Sequence, residues 1–447
     1  MEIVILIITL FVLIIIVKTL LIRNKEVRTL NFDNETINKQ YAQEAFDLIK
    51  IKTPSEEDSV TYHEFREKMK ELFPLVHQKL KRKKLGSNVI FTYEVNEAFR
   101  PHILIVSHID TFNVNDEVYM TDKEIRGEGS FDSKALVYAV FQAMEEKLNE
   151  EINVNIMLII TTDDKASRTG SEQLVNYFTR RGLFFNLVLE DGAGIIDPYA
   201  FDLKSNHALI GVGVTGEVIV RYQAKKRHVA LHNLENFIEE IKEEDIFKAK
   251  IDRNSAKVLK AFSKDMNFKN RLLFGNPNLF SFFIKRKLNK HKIEIGKLIK
   301  TQVDFSKIKE DDEYYYSDCT FGLATHDTPA EIIRTIAPYV QKYELTYEVS
   351  KIADSSKVTS EKSEGYKKVE DVIDKTFSDV YVTPYIITKF SERRYFTRVS
   401  DCVIRFSPLY YDHEKLTNAL EGNESLSKLS LNKAIRFYKK LIESYEE

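Results

Sequence analysis

Between Asn88 and Gly194 short apolar runs take turns with longer stretches of helical periodicity. "NVIFTYEV", "HILIVSHID", "NVNIMLIITTDD" and "FNLVLEDGAG" read as strands, whereas "KALVYAVFQAMEEKL" and "GSEQLVNYFTRRG" read as helices. Parallel neighbours in a sheet need a crossover, and a helix is the usual one. The alternation therefore predicts an α/β domain with a mostly parallel central sheet. Sheets of that kind bind ligands at the carboxyl ends of their strands. His108, Asp110, Asp163, Asp164 and Glu190 all fall at such ends, which predicts one shared site.

Upstream, "QYAQEAFDLIKIKTP" carries apolar residues at helical spacing and stops at a proline; "SVTYHEFREKMKELFPLVHQKL" reads as a second amphipathic helix. After Asn206 the rhythm changes. "GEVIVRYQAK", "YYYSDCTFGLAT" and "ELTYEVSKI" read as strands, and "ALHNLENFIEEIKEE" and "TPAEIIRTIAPYVQKY" as helices. Residues 250–300 among them are rich in Lys, Phe and Leu and show no clean strand. With that stretch set aside, the pieces make a smaller ferredoxin-like α+β unit able to cover the site as a lid. A polar connector, "ADSSKVTSEKSEG", then leads to strand and helix pieces that complete the first domain. The expected organisation is a catalytic-type domain in two parts, residues 25–206 and 351–447, interrupted by a lid and dimerisation domain at 207–350.

The N-terminus adds a separate element. Ile3 to Ile22 is apolar except for Thr9, Lys18 and Thr19, which matches the ~20 residues a membrane span requires. No small-residue cleavage site follows it, and Lys18 near its end is able to reach the interface. Residues 1–24 therefore read as an uncleaved transmembrane anchor. Lys18, Arg23, Lys25 and Arg28 lie towards its C-terminal side, against Glu2 and the amino terminus before it, so charge asymmetry puts the soluble part on the cytoplasmic side. A net charge of -2 lacks the basic excess of a nucleic-acid binder. The two cysteines, Cys319 and Cys402, give neither a zinc-finger spacing nor a disulfide framework.

His, Asp and Glu are the usual protein ligands of zinc besides cysteine. His108 and Asp110 lie two apart, so on a straight strand they share a face. The chain turns there, and Asp110 could instead stand behind His108 and orient its ring. Asp132 follows a glycine turn, "GEGSFDSK", at a helix start, where the plain alternative is a helix cap. The same glycines do not make a dinucleotide site, because Asp132 stands where the third glycine belongs and no ribose-binding acid is placed for it.

Six segments occur in a fixed order: "VSHIDTFNV", "GEGSFDSKALVYAVFQAME", "TTDDKASRTGSEQL", "VLEDGAG", "RRYFTRVSDCVIRFSP" and "GNESLSKLSLNKAIRFYKKLI". Together they resemble the dizinc exopeptidases and amidohydrolases, the family of carboxypeptidase S, the secreted N-acyl-amino-acid hydrolases, aminoacylase and succinyl-diaminopimelate desuccinylase. The resemblance spans residues 40–447 and is nearest the carboxypeptidase S branch, through "FPLVHQKL", "RFSP" and Asn423-Glu424.

This resemblance implies a zinc-exopeptidase-like fold and a two-metal site. Asp132 matches the aspartate shared by both ions, His108 and Glu190 match the remaining ligands of the first, and Asp110 matches the residue that orients the histidine. The ligands of the second ion are altered. The family's Glu-Glu pair reads Asp164-Lys165, and its late histidine reads Leu420. An ammonium does not ligate and leucine offers no donor, so one zinc ion is possible and a second is not expected. His413, seven residues before Leu420, is a candidate substitute. Asp164 replaces the catalytic glutamate with a shorter side chain. His228 in "KKRHVA" matches the lid histidine that steadies the oxyanion. Arg394 in "SERRYF", with Arg393 as the fallback, matches the arginine that holds the substrate carboxylate. A lid arginine of the family reads Gly322, and no asparagine occurs at Lys309 to Asp311.

By resemblance the chain is a membrane-anchored homologue of metal-dependent carboxypeptidases and amidohydrolases, weakly active or inactive as a dizinc hydrolase. Two alternatives stand beside that reading. One is an active single-metal enzyme cutting small peptides or N-acyl amino acids next to a free carboxylate. The other is a pseudoenzyme that binds a ligand or scaffolds a homodimer through the lid.

Overall fold

The computed structural model of the chain describes residues 2–22, 37–54, 59–95, 101–111, 117–131, 133–162, 170–198, 203–244, 246–291, 294–388, 394–411 and 424–446. The chain forms two compact units. One comprises Val27–Val212, Thr359–Tyr385 and Glu392–Glu447; the other comprises Met1–Glu26, Gly213–Val358 and Ile386–Ser391.

The first unit is built on a ten-stranded mixed sheet. Its centre is parallel, in the order Asn155–Thr161, His102–His108, Leu187–Glu190, Val403–Arg405. Antiparallel pairings extend it: Asn88–Tyr93 and Lys81–Leu85 at one side, Asn206–Val214 and Gly194–Ile196 at the other. The helix Lys134–Lys147 is apolar around most of its circumference, and every residue from Lys134 to Phe141 is buried. Such a helix needs cover on more than one face. The C-terminal helix Lys428–Glu446 and the helix Lys39–Ile49 supply it. The stretch read as one amphipathic helix is two, Ser59–Leu72 and Pro74–Lys79. Pro74 cannot continue a helix through its missing N–H, and it pushes Phe73 out of helical geometry, at φ -126° and ψ 61°. It then starts the next helix from the first position, where its fixed φ is suited.

The second unit contains an antiparallel sheet in the order Gln302–Phe305, Tyr314–Gly322, Glu217–Lys225, Thr346–Ala353. The helices Ala230–Glu243 and Pro329–Lys342 bury their apolar faces against it. Residues 250–300, which gave no strand signal, hold three short helices, Arg253–Ser263, Phe268–Gly275 and Ser281–His291. The first begins at a capping box in which Asp252 and Ser255 satisfy each other's backbone donors. Among the described residues one helix is long and apolar enough to cross a membrane, Glu2–Leu21, with a mean hydropathy of 3.2 over its 18-residue window. Cys319 and Cys402 are both free and buried.

Phe237 is the hinge-pin of the second unit's core. It is fully buried, with ring centroids 4.8 Å from Tyr222, 6.0 Å from Phe305 and 6.2 Å from Tyr343. Phe237→Ala is expected to cost about 3–5 kcal/mol, read as a lowered denaturant midpoint; a loss well under 1 kcal/mol would contradict this packing.

Candidate metal centre

Register brings the site together. The strand His102–His108 pairs in parallel with Asn155–Thr161 on one side, setting His108 opposite Thr161, and with Leu187–Glu190 on the other, setting Val106 opposite Glu190. The next strand sets Arg405 opposite Glu190. The carboxyl ends of these strands therefore open on one edge of the sheet, where a ligand is not obstructed by ladder hydrogen bonds.

His108, Asp110, Glu190 and Asp191 are all buried, Asp110 completely. Asp110 Oδ1 stands 3.3 Å from His108 Nδ1. On the opposite edge of the ring Asp191 Oδ2 is 3.9 Å from Nε2 and also accepts the backbone N–H of His108 at 3.3 Å. A carboxylate at each ring nitrogen fixes the plane of the imidazole. Glu190 Oε2 lies 3.9 Å from Arg405 Nε, so this acid already faces a guanidinium. Burial raises the Tyr62 phenol above its ordinary range, and the Asp110 charge adds to that.

The glycine turn is tied to the same point. Ser133, at the N-cap position of the helix Lys134–Lys147, makes no cap with its side chain. Its hydroxyl donates to the His108 carbonyl at 2.7 Å and receives the His108 N–H at 3.3 Å. Gly127 sits at φ +116°, and a Cβ there would come within 2.8 Å of Val118 Cα, so the turn requires glycine. Glu424 closes the turn from the far end of the chain. Its Oε2 accepts from the backbone N–H groups of Gly129 and Phe131 at 3.0 and 3.1 Å, and its carbonyl accepts from Gly127 at 3.0 Å. The strand that follows, Ser425–Ser427, pairs antiparallel with Glu124–Arg126. Lys134 is buried beneath the turn, and its Nζ donates to the carbonyls of Ile49 and Ile51 at 3.1 and 2.6 Å. These lie at the end of the helix Lys39–Ile49, where a cation suits the helix dipole. Burial pushes the Lys134 ammonium down to about 8, while the charges of Glu128 and Glu424 pull it back up.

Arg394 belongs to the same unit as His108 and is partly buried, just before the short 3-10 turn Phe396–Arg398; its carbonyl accepts from Thr397 Oγ1 at 2.7 Å. His228 belongs to the other unit, in the exposed turn between the strand Glu217–Lys225 and the helix Ala230–Glu243. Gly322 ends the strand Tyr314–Gly322 of that unit. Asp132, Asp163, Asp164, Lys165, Arg393, His413, Leu420 and Asn423 lie outside the described residues. Among the described residues no group of three or more His, Cys, Asp or Glu is arranged as a metal cage. The donors present nevertheless suit a divalent ion. Ligand bonds of ~2.0–2.1 Å to imidazole and ~2.0–2.2 Å to carboxylate add to more than the 3.9 Å between His108 Nε2 and Asp191 Oδ2, so one ion can touch both.

Residues 104–444 match the model of the family described as Peptidase family M20/M25/M40. The chain belongs to this family. It is 20% identical over 383 residues to the human N-fatty-acyl-amino acid synthase/hydrolase PM20D1, covering 79% of this chain and 76% of that protein. It is also 20% identical over 424 residues to the probable carboxypeptidase S-like 2 of Dictyostelium discoideum, covering 88% and 80%. Among solved structures, the M20 family metallo-carboxypeptidase Sso-CP2 from Sulfolobus solfataricus superposes with a TM-score of 0.66 at 17% identity, over 91% of this chain and 99% of that one. The fold is thus that of M20 peptidases, and the M20 family is metal-dependent, typically with dinuclear zinc.

Three contributors escaped the sequence reading. Asp191 follows Glu190 directly, and alternation along a strand gives no reason to prefer the second acid; only the turn after the strand swings it to His108. Ser133 was hidden by its ordinary cap position. Arg405, inside "RFSP", carried no signal of pairing with a strand distant in sequence. Glu424, which the sequence marks only as half of Asn423-Glu424, offers the most direct test of the turn. Glu424→Ala removes the acceptor of two turn amides and is expected to cost about 1–3 kcal/mol, with faster hydrogen exchange confined to Gly129 and Phe131 and their neighbours. Unchanged exchange at those amides would show that the turn holds without it.

Proposed function

We propose that this chain is a membrane-anchored M20-type metallohydrolase homologue with one metal position, weakly active or inactive as a dizinc enzyme. What carries the reading is Lys165 and Leu420 in the sequence, at the positions where the family resemblance implies a glutamate and a histidine of the second ion. Neither side chain ligates a cation at neutral pH. The first position keeps His108, with Asp110 at its back and Asp191 beside its Nε2. In this reading His108, Asp132 and the Glu190–Asp191 pair hold a single zinc ion, and the helix Glu2–Leu21 is the anchor, with the soluble part on the cytoplasmic side.

The buried, oriented imidazole supports a second reading, residual amide hydrolysis on small peptides or N-acyl amino acids. A bound divalent ion supplies charge that polarises a carbonyl and eases deprotonation of water. Asp164 takes a proton from the attacking water and passes it to the leaving amine as the C–N bond breaks. His228 donates to the carbonyl oxygen as negative charge develops there. Arg394 grips the free carboxylate through two parallel N–H donors. The aspartate at 164 sets its carboxylate back by roughly one carbon–carbon bond, and a displacement near 1 Å costs about 10²-fold.

Metal analysis by mass spectrometry on the full chain, purified without chelator, tests the first reading. One zinc ion per chain is expected, lost in His108→Ala; two ions would refute it. The double change Lys165→Glu, Leu420→His is expected to raise the count to two. No ion and no hydrolysis leave a binding or dimeric scaffold protein as the surviving alternative. For the second reading, Asp164→Glu is expected to raise hydrolysis of N-acyl amino acids by about 10²-fold; no gain would remove Asp164 from the base position.

A further inference from the structure

The three-helix stretch of the second unit is not accounted for by amide hydrolysis. Residues 266–293 contain seven Lys or Arg and no Asp or Glu, within a chain whose net charge is -2. Outside the N-terminal helix, ten large apolar side chains are exposed among the described residues, and four of them lie in this stretch: Phe268, Leu279, Phe282 and Phe283. Phe282 and Phe283 are 68% and 60% exposed, which is extreme for phenylalanine in water. Within the helix Ser281–His291, Phe282, Phe283 and the exposed Arg286 are spaced so that Arg286 lies four residues from one phenylalanine and three from the other; they share one face, while Ile284 and Leu288 are buried behind it, and Leu279 is exposed in the turn just before.

This stretch touches the end of the apolar N-terminal helix. Thr19 is fully buried, and its hydroxyl accepts from Asn276 Nδ2 at 3.1 Å. Gly275 packs so closely that a Cβ there would come within 2.6 Å of Ile22 Cδ1. The rest of the N-terminal helix is bare: only 6% of its 18-residue apolar window is buried. Twenty residues at 1.5 Å each span ~30 Å, the thickness of a bilayer core. Phe282 lies six residues past Asn276, hence within about 22 Å of the end of that helix. Phe282 and Phe283 are therefore within reach of the membrane surface at which a span ending at Leu21 would leave the hydrocarbon, where aromatic side chains and cations partition best.

We infer that residues 266–291 form a second, non-spanning membrane contact, seated on an anionic lipid surface at the exit of the N-terminal helix. Phe282 and Phe283 enter the boundary between headgroups and acyl chains, and Lys285, Arg286 and their neighbouring cations meet lipid phosphates and carboxylates. The inference rests on the anchor reading of Glu2–Leu21. It gives the soluble part a second point of attachment, so that the unit carrying Phe282 cannot swivel freely on a single helix.

The chain has no tryptophan, so a single introduced indole reports its own surroundings. The full chain carrying Phe282→Trp, and separately Phe11→Trp, is reconstituted into vesicles of phosphatidylcholine with phosphatidylserine, with and without brominated acyl chains. Both proteins are expected to lose emission to the brominated lipid. The loss in the Phe282→Trp protein alone should shrink when phosphatidylserine is omitted, when salt is raised, or when Lys285→Glu and Arg286→Glu are added. Quenching in the Phe11→Trp protein without quenching in the Phe282→Trp protein would overturn the inference and leave the anchor standing. No quenching in the Phe11→Trp protein would remove the anchor and the inference with it. A blue shift of the Phe282→Trp protein that depends on protein concentration and not on lipid would assign this face to a second copy of the chain and overturn it. Phe283→Trp repeats the measurement at the adjacent position should Phe282→Trp fail to fold.

Discussion

Ile103 to Val106 pair residue for residue with Leu187 to Glu190, and Glu190 pairs in turn with Arg405. Because these pairings are parallel, the strands end on the same edge, and the residues just past their ends are forced into company. His108, Asp191 and Arg405 meet there through register alone, although Arg405 is nearly three hundred residues from His108 in the chain. A slip of one residue in any of these ladders would turn each side chain to the other face of the sheet. The buried Val, Leu and Ile of the strands are what forbid the slip, since their alternate placement would cost apolar contact on both faces.

The second constraint is local to the glycine turn. The turn amides of Gly129 and Phe131 need an acceptor once buried against protein, and Glu424 provides it from the C-terminal segment. Ser133 adds the link to His108, through a hydroxyl that both donates to and accepts from the same residue's backbone. The turn that carries Asp132 in sequence is thus bracketed by two interactions on its flanking residues. Each bracket is a buried or half-buried polar contact, so each is worth more as a positional restraint than as net stability.

Much of this is legible in the sequence. Strand and helix alternation gave the parallel core, and apolar spacing gave the ferredoxin-like unit, because both patterns are local and periodic. Contacts between remote segments were not legible. Nothing in "VLEDGAG" says that the second acid, not the first, faces His108 Nε2; that depends on how the chain turns after Glu190. The helices at 253–291 were missed as elements because their apolar residues are diluted by lysine and their lengths are close to the minimum that packing can support. The break at Pro74 was, by contrast, available in the sequence, since proline at the first position of a helix is a start signal as much as a stop.

If Lys165 and Leu420 stand at a second metal position, as proposed, the two replacements conserve charge. A dication together with one ligating carboxylate carries a single net positive charge. An ammonium in the place of that carboxylate, with no dication, carries the same. The exchange of a neutral imidazole for leucine at 420 leaves the sum unaltered. The acids that faced the lost ion would then keep a cationic neighbour, which is what a group of buried carboxylates requires if it is not to take up protons or unfold. A site that had merely decayed would be under no pressure to conserve that sum. One that retains a cation for folding, or for holding a ligand's carboxylate, would be, and Asp132, the aspartate that the resemblance assigns to both ions, is the acid whose charge such a cation would offset.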